Sequence, residues 1–231
     1  MKKWLGALLL MFFLTGCQAP QTVIDWVDFV KWDGRQYESI YQGVIADEEK
    51  IGEEIGEVKF TVAGNIKRTS YKIKDGDAGF LEKGTKLLSV IDEPDLIAVK
   101  SANAINGYKI YAPLDVGNER WQFKNMPLEN VEKIEIYQLY TETGNQFLKE
   151  LKDRTDVTQL LNLLETSTED VFFEPNMPGS DPLYYEIICY TDESIAYSYG
   201  IQFDGKTYYW YPWETAILSD EIKHFIAQSI E

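Results

Sequence analysis

The sequence predicts an α+β protein in two modules, a small all-β module followed by an antiparallel sheet with two helices on one face. Three observations carry this expectation. No helical periodicity stands out between residues 28 and 112, where short alternating runs are separated by turn residues. Val157, Leu160, Leu161 and Leu164 then follow the i, i+3, i+4, i+7 spacing of an amphipathic helix. Ile222, Phe225, Ile226 and Ile230 make a second such stripe at the chain end.

In the first module, Asp28 to Trp32 and Arg35 to Ile40 flank Asp33-Gly34, a pair suited to a type I′ turn, so residues 28–40 read as a hairpin. Asp47, Glu48, Glu49, Glu53, Glu54 and Glu57 read as a solvated acidic loop. Gly56 to Val62 reads as a strand, as do Thr85 to Ile91, Leu96 to Lys100 and Tyr108 to Ala112. Residues 28–112 thus read as a small all-β module, with a barrel as one arrangement it could take. Residues 113–130, with Pro113, Gly117, Asn118 and Pro127, read as a connector in which Trp121 and Phe123 pack against a domain.

Residues 131–231 follow the order ββαβββα. The strands are Val131 to Tyr140, Phe147 to Leu151, Leu183 to Tyr190, Ala196 to Phe203 and Lys206 to Tyr211. Thr155 or Asp156 is the expected cap of the first helix, and Ser219 that of the last, with Asp220 and Glu221 in its first turn.

The N-terminus speaks to location. Lys2 and Lys3 precede an apolar stretch from Trp4 to Leu14, about ten residues, where a membrane-spanning helix needs roughly twenty. Leu14-Thr15-Gly16-Cys17 follows. Residues 1–16 read as a secretory signal, and the segment resembles the lipobox of bacterial lipoproteins, in which Cys17 is lipidated and becomes the first mature residue. Residues 17–27 are then a lipidated tether. The expected location is the extracytoplasmic face of the cell membrane, with two or more acyl chains making a durable anchor.

Charge and cysteine content narrow the function classes. The chain has 231 residues and a formal charge of −16. Losing Lys2 and Lys3 from the 22 basic residues leaves 20 against 38 acidic ones, near −18. Such a body repels nucleic-acid phosphates and anionic headgroups, so no nucleic-acid partner is expected. With Cys17 lipidated, Cys189 stands alone and reads as a small buried hydrophobe.

Phe29 to Lys31, Asp33-Gly34, Ile55-Gly56-Glu57-Val58 and the run from Asp75 to Thr85 resemble secreted lipoproteins of Gram-positive, Bacillus-like bacteria, over roughly residues 28–112. The resemblance carries no catalytic residues onto this chain.

For chemistry, Asp75-Gly76-Asp77 lacks the later EF-hand ligands, with Gly79 and Lys86 where they would stand, and reads as a turn. His224 is the only histidine, so neither a zinc site nor a cofactor is expected. The binding candidate is the aromatic run from Thr207 to Trp213. Strand alternation puts Tyr209, Tyr211 and Trp213 on one face and Tyr208 and Trp210 on the other. Tyr209, Trp210, Tyr211 and Trp213 either form a stacking surface, which Tyr184, Tyr190, Tyr197 and Tyr199 would widen, or fill the core. The function expected is a non-catalytic binding or accessory module contacting a cell-wall component or envelope protein, with a structural or regulatory interaction module as the alternative and a hydrolase third.

Overall fold

The computed structural model describes residues 24–117, 119–177, 179 and 181–226. Residues 1–23, with Cys17 and the first part of its tether, lie outside the described residues, as do Asn118 and Ile230. Strand accounts for 42% of the described residues and helix, 3-10 turns included, for 17%, in two curled sheets, so the fold is β-rich and the α+β expectation is corrected. The reason is local. Several strands are only two or three residues long and leave no alternation to see, and the described part of the last helix is a single turn.

The first half carries β1 (Phe29–Trp32), β2 (Arg35–Ile40), β3 (Gly43–Ile45), β4 (Ile51–Glu57), β5 (Phe60–Thr61), β6 (Asp77–Ala78), β7 (Lys86–Val90), β8 (Glu93–Lys100) and β9 (Tyr108–Pro113). The β1–β2 hairpin forms at Asp33-Gly34, both with positive φ (47° and 74°), as a type I′ turn requires. The sheet order is β4-β7-β8-β9-β2-β1-β6-β5. Its two ends, β4 and β5, are joined through Val58 and Lys59 alone. The three Cα steps from Glu57 to Phe60 reach only about 11 Å, so the sheet must curl to bring its two ends together. Val58 N–H donates to the Thr85 carbonyl and Lys59 N–H to that of Gly76, at 2.9 and 2.7 Å, stitching the seam. Val30, Tyr37, Leu87, Ile97, Val99 and Tyr111 fill the interior.

The acidic segment is not a loop. Glu48–Lys50 form a 3-10 turn capped by Asp47, and Ile51–Glu57 form β4. Backbone pairing with β7 overrides the low strand propensity, and Lys86 bridges Glu54 and Glu57 at 2.9 and 3.1 Å. Charges on an end strand also discourage pairing with another chain.

The second half carries β10 (Lys133–Thr141), β11 (Gly144–Leu151), α1 (Arg154–Glu165), β12 (Thr168–Glu169), β13 (Leu183–Tyr190), β14 (Ile195–Phe203), β15 (Tyr208–Trp210), β16 (Ala216–Ile217) and α2 (Lys223–Ile226). Its sheet runs β11-β10-β13-β14-β15-β16-β12. Asp153 caps α1, accepting from Thr155 N–H at 2.8 Å, so the helix starts before the Thr155 or Asp156 cap read from sequence. The predicted stripe of Val157, Leu160, Leu161 and Leu164 is buried, with Leu163 beside it. Ser219 caps the final turn, accepting from Glu221 N–H.

The halves share one core. β3 belongs by sequence to the first half but pairs with β14 of the second sheet. On β8 and β9, Ile97, Val99 and Tyr111 point into the first sheet's interior, whereas Leu96, Ala98, Ile110 and Ala112 join the core beneath α1. Strand alternation therefore feeds two cores from the same strands. Trp121 and Met126 of the connector are buried in the larger one.

Candidate functional site

The helices cover one face of the second sheet, packing on Ile134, Ile136, Ile187 and Tyr199 among others. Alternation sends Glu135, Tyr137, Tyr184, Glu186, Ile188, Ser198, Gly200, Gln202 and Tyr209 to the opposite face. The first module covers one end of this face. Val44, Ala46 and Ile105 pack on Ile188, Tyr190 and Ala196. Asn106 donates to the Ile45 carbonyl at 2.8 Å and to the Tyr190 hydroxyl at 2.9 Å. The hydroxyls of Tyr190 and Tyr137 donate to Glu135, as does Lys133, at 2.7–2.8 Å. Burial alone would raise the Glu135 carboxyl, but these three donors outweigh it and hold it below its ordinary value.

The other end of the face is open. Tyr140 (78% exposed) stacks edge-on against Tyr184, their centroids 5.2 Å apart. Phe147 (52% exposed) meets Tyr137 in the same way at 5.5 Å. Tyr140 lines two clefts, one of about 450 Å³ beside Pro182 and Tyr184, the other of about 640 Å³ beside residues 102–106. Its φ of 55° is an outlier for a bulky residue, held where β10 bulges against β11.

Glu186 lies between these ring pairs, directly across from Tyr137 on β10 and Gly200 on β14. Ser198 donates its hydroxyl to Oε1 of Glu186. Protein atoms crowd this carboxyl although some solvent still reaches it. Burial pushes it up to about 7, with the Ser198 hydrogen bond opposing only in part. Two carboxyls one diagonal step apart are thus driven in opposite directions, Glu135 by many donors and Glu186 by few. Such perturbed groups cluster at functional sites. A serine nucleophile is not presented here, since Ser198 is buried and its hydroxyl is committed to Glu186.

The aromatic residues picked from sequence separate. Tyr209 and Trp210 are each 1% exposed, so neither offers a stacking surface. Tyr209 lies under Phe173 and Tyr211 and donates to Gln202 at 2.9 Å. Trp210 packs on Phe123 and donates to Ser167. Tyr211 and Trp213 are exposed (50% and 74%), but not on one face. β15 ends at Trp210, so alternation stops and the chain turns at Pro212. Tyr211 stays on Tyr209 at the open face, while Trp213 shares a cleft with Phe123 and Trp210 on the helix side. Of the widening set, Tyr184 reaches the open face, whereas Tyr190 is covered and Tyr197 and Tyr199 are core. Sequence reasoning passed over Tyr137, Tyr140, Phe147 and Glu186. The signal for Glu186 was present as a lone carboxyl inside an apolar strand.

Asp75-Gly76-Asp77 forms a turn, with Asp77 accepting from the Tyr71 hydroxyl and the Lys74 N–H at 2.8 Å. Among the described residues no group of three or more His, Cys, Asp or Glu is placed to hold a metal ion. Burial pushes the Cys189 thiol up, and His224 is exposed. Comparison with protein-family models, curated proteins and solved structures found no match.

Proposed function

We propose that this chain is a lipid-anchored protein of the extracytoplasmic membrane face, held through Cys17, and that it acts as a non-catalytic binding module for a cell-wall component or envelope protein. Its recognition surface is the open end of the second sheet's helix-free face. The observation that supports this most is the gathering of exposed rings, Tyr140, Phe147 and Tyr211, on the one sheet face that neither helix covers. Exposed rings of this kind suit flat apolar surfaces such as sugar rings or peptide side chains.

Co-sedimentation of the chain from Gln18 to Glu231 with purified cell-wall material tests the reading, with crosslinking on intact cells to capture a protein partner. Tyr140→Ala and Tyr211→Ala should weaken capture in either assay and leave the melting temperature nearly unchanged. Full capture by both variants would refute the assignment of the face.

A further inference from the structure

We infer that the gap above Gly200 is a binding site for an ammonium group, received by the Glu186 carboxylate between Tyr137 and Tyr184. The inference rests on the recognition surface proposed above and names the chemistry it selects.

Access comes first. Oε1 of Glu186 accepts from Ser198, but Oε2 takes no hydrogen bond from the described residues. A Cβ added at Gly200 would lie 3.5 Å from that oxygen, and Gly200 itself is exposed. Gly200 does not have a positive φ, so the backbone does not call for glycine there. The missing side chain instead leaves the carboxyl reachable from solvent.

The walls come next. Tyr137 stands directly across from Glu186, and Tyr184 precedes it by two residues on the same face. Cross-strand neighbours of this kind lie within about 5.5 Å, and same-face neighbours within roughly 7–8 Å. A carboxylate flanked by aromatic side chains attracts a cation by its charge, and a ring face adds to that attraction where it meets the cation.

Charge balance completes the argument. Lysines on the adjoining strands are engaged elsewhere. Lys133 pairs with Glu135 at 2.7 Å, and Lys149 lies over the Phe225 ring on the helix side. A crowded carboxylate without a counter-charge is stabilised by an incoming cation and further destabilised by an anion. The chain's charge of −16 draws cations toward it in any case. An ammonium can come from a lysine side chain or from an amino sugar or aminoacylated wall polymer, and the probes below separate these sources.

Saturation-transfer NMR on the full chain in non-ionic detergent supplies the test. The probes are a trilysine peptide and a glucosamine trimer, each paired with its fully N-acetylated counterpart, which lacks the charge. At least one ammonium probe should bind, and its acetylated partner should bind at least about tenfold more weakly, as expected for loss of a charge-assisted hydrogen bond. Glu186→Gln should cause a similar loss. Gly200→Leu, which fills the gap but keeps the carboxyl, should do the same. Glu82→Gln, which removes one exposed charge elsewhere, should leave affinity within about twofold, since a distant exposed charge is largely screened. Equal binding of charged and acetylated probes, abolished by Tyr140→Ala, would overturn the ammonium site while leaving the recognition face standing. Ammonium binding that survives both Glu186→Gln and Gly200→Leu would overturn it as non-specific attraction. No binding by any probe would overturn it as well, and the co-sedimentation assay then decides the fate of the face on its own.

Discussion

Glu186 gives the most direct energetic prediction. Its folded-state value of about 7 stands above the ordinary 4.5 of a glutamate because burial disfavours the charged form. The folded state therefore holds this proton more tightly than the unfolded state. Linkage then fixes the sign. The group does not penalise folding below about pH 4.5, and stability falls as pH rises from there to about 7, with the full penalty present above. At about 1.4 kcal/mol per pH interval, the penalty is roughly 3 kcal/mol, or about 2 once the solvent still reaching the carboxyl is allowed for. That is a large fraction of a typical domain's 5–15 kcal/mol, on the scale of about 2–3 kcal/mol against the whole. Glu186→Gln keeps the shape and an acceptor for Ser198 and removes the titration. Urea unfolding of both proteins from pH 4 to pH 8.5 gives a difference in which the other titrating groups cancel. The variant should gain about 2–3 kcal/mol on the parent between pH 4.5 and 8. A difference that stays flat with pH would show that the carboxyl ionises normally and would refute the reasoning. Glu135→Gln supplies the mirror image. Its depressed carboxyl contributes stability above its unfolded value, lost as pH falls, so this variant should be weakened at neutral pH and converge on the parent in acid.

Other expectations follow from burial and hydrogen bonding. Trp210→Ala should lower stability by about 3–5 kcal/mol in urea titrations, because the ring is fully buried against Phe123 and Tyr199. Trp213→Ala removes only an exposed ring and the Lys124 contact and should change stability by less than about 1 kcal/mol. Asn106→Ala breaks the hydrogen bond to Tyr190 that joins the two halves and the one to the Ile45 carbonyl on β3, and should reduce unfolding free energy by about 2 kcal/mol. Cys17→Ser should move the protein from the membrane to the soluble extracytoplasmic fraction on immunoblots, whereas an unchanged membrane fraction would refute the anchor.

Much of the strand layout was legible because it is local. Asp33-Gly34 sets its own hairpin, and the β13 and β14 segments are apolar and aromatic runs of eight and nine residues, long enough to read as strands. β3 was not legible. Its three residues gain their structure from β14, about 150 residues away in the chain, and nothing near them announces that partner. The acidic β4 was read as a loop because its charges suit solvent, while its pairing with β7 is a tertiary fact. The aromatic run was found, but its geometry was not. Alternation holds only while the strand lasts, and β15 ends at Trp210. The Tyr137–Glu186–Gly200 row is set by register between three strands, which no single stretch of sequence contains.

The central claim is that the open end of the helix-free face meets the ligand or partner. Site-specific photo-crosslinking on intact cells tests it, with a photoreactive residue placed in turn at 140, 211 and 213. All three positions are exposed, but 213 lies on the helix side. The account predicts adducts from 140 and 211 and none from 213. Adducts from 213 with none from 140 or 211 would contradict it.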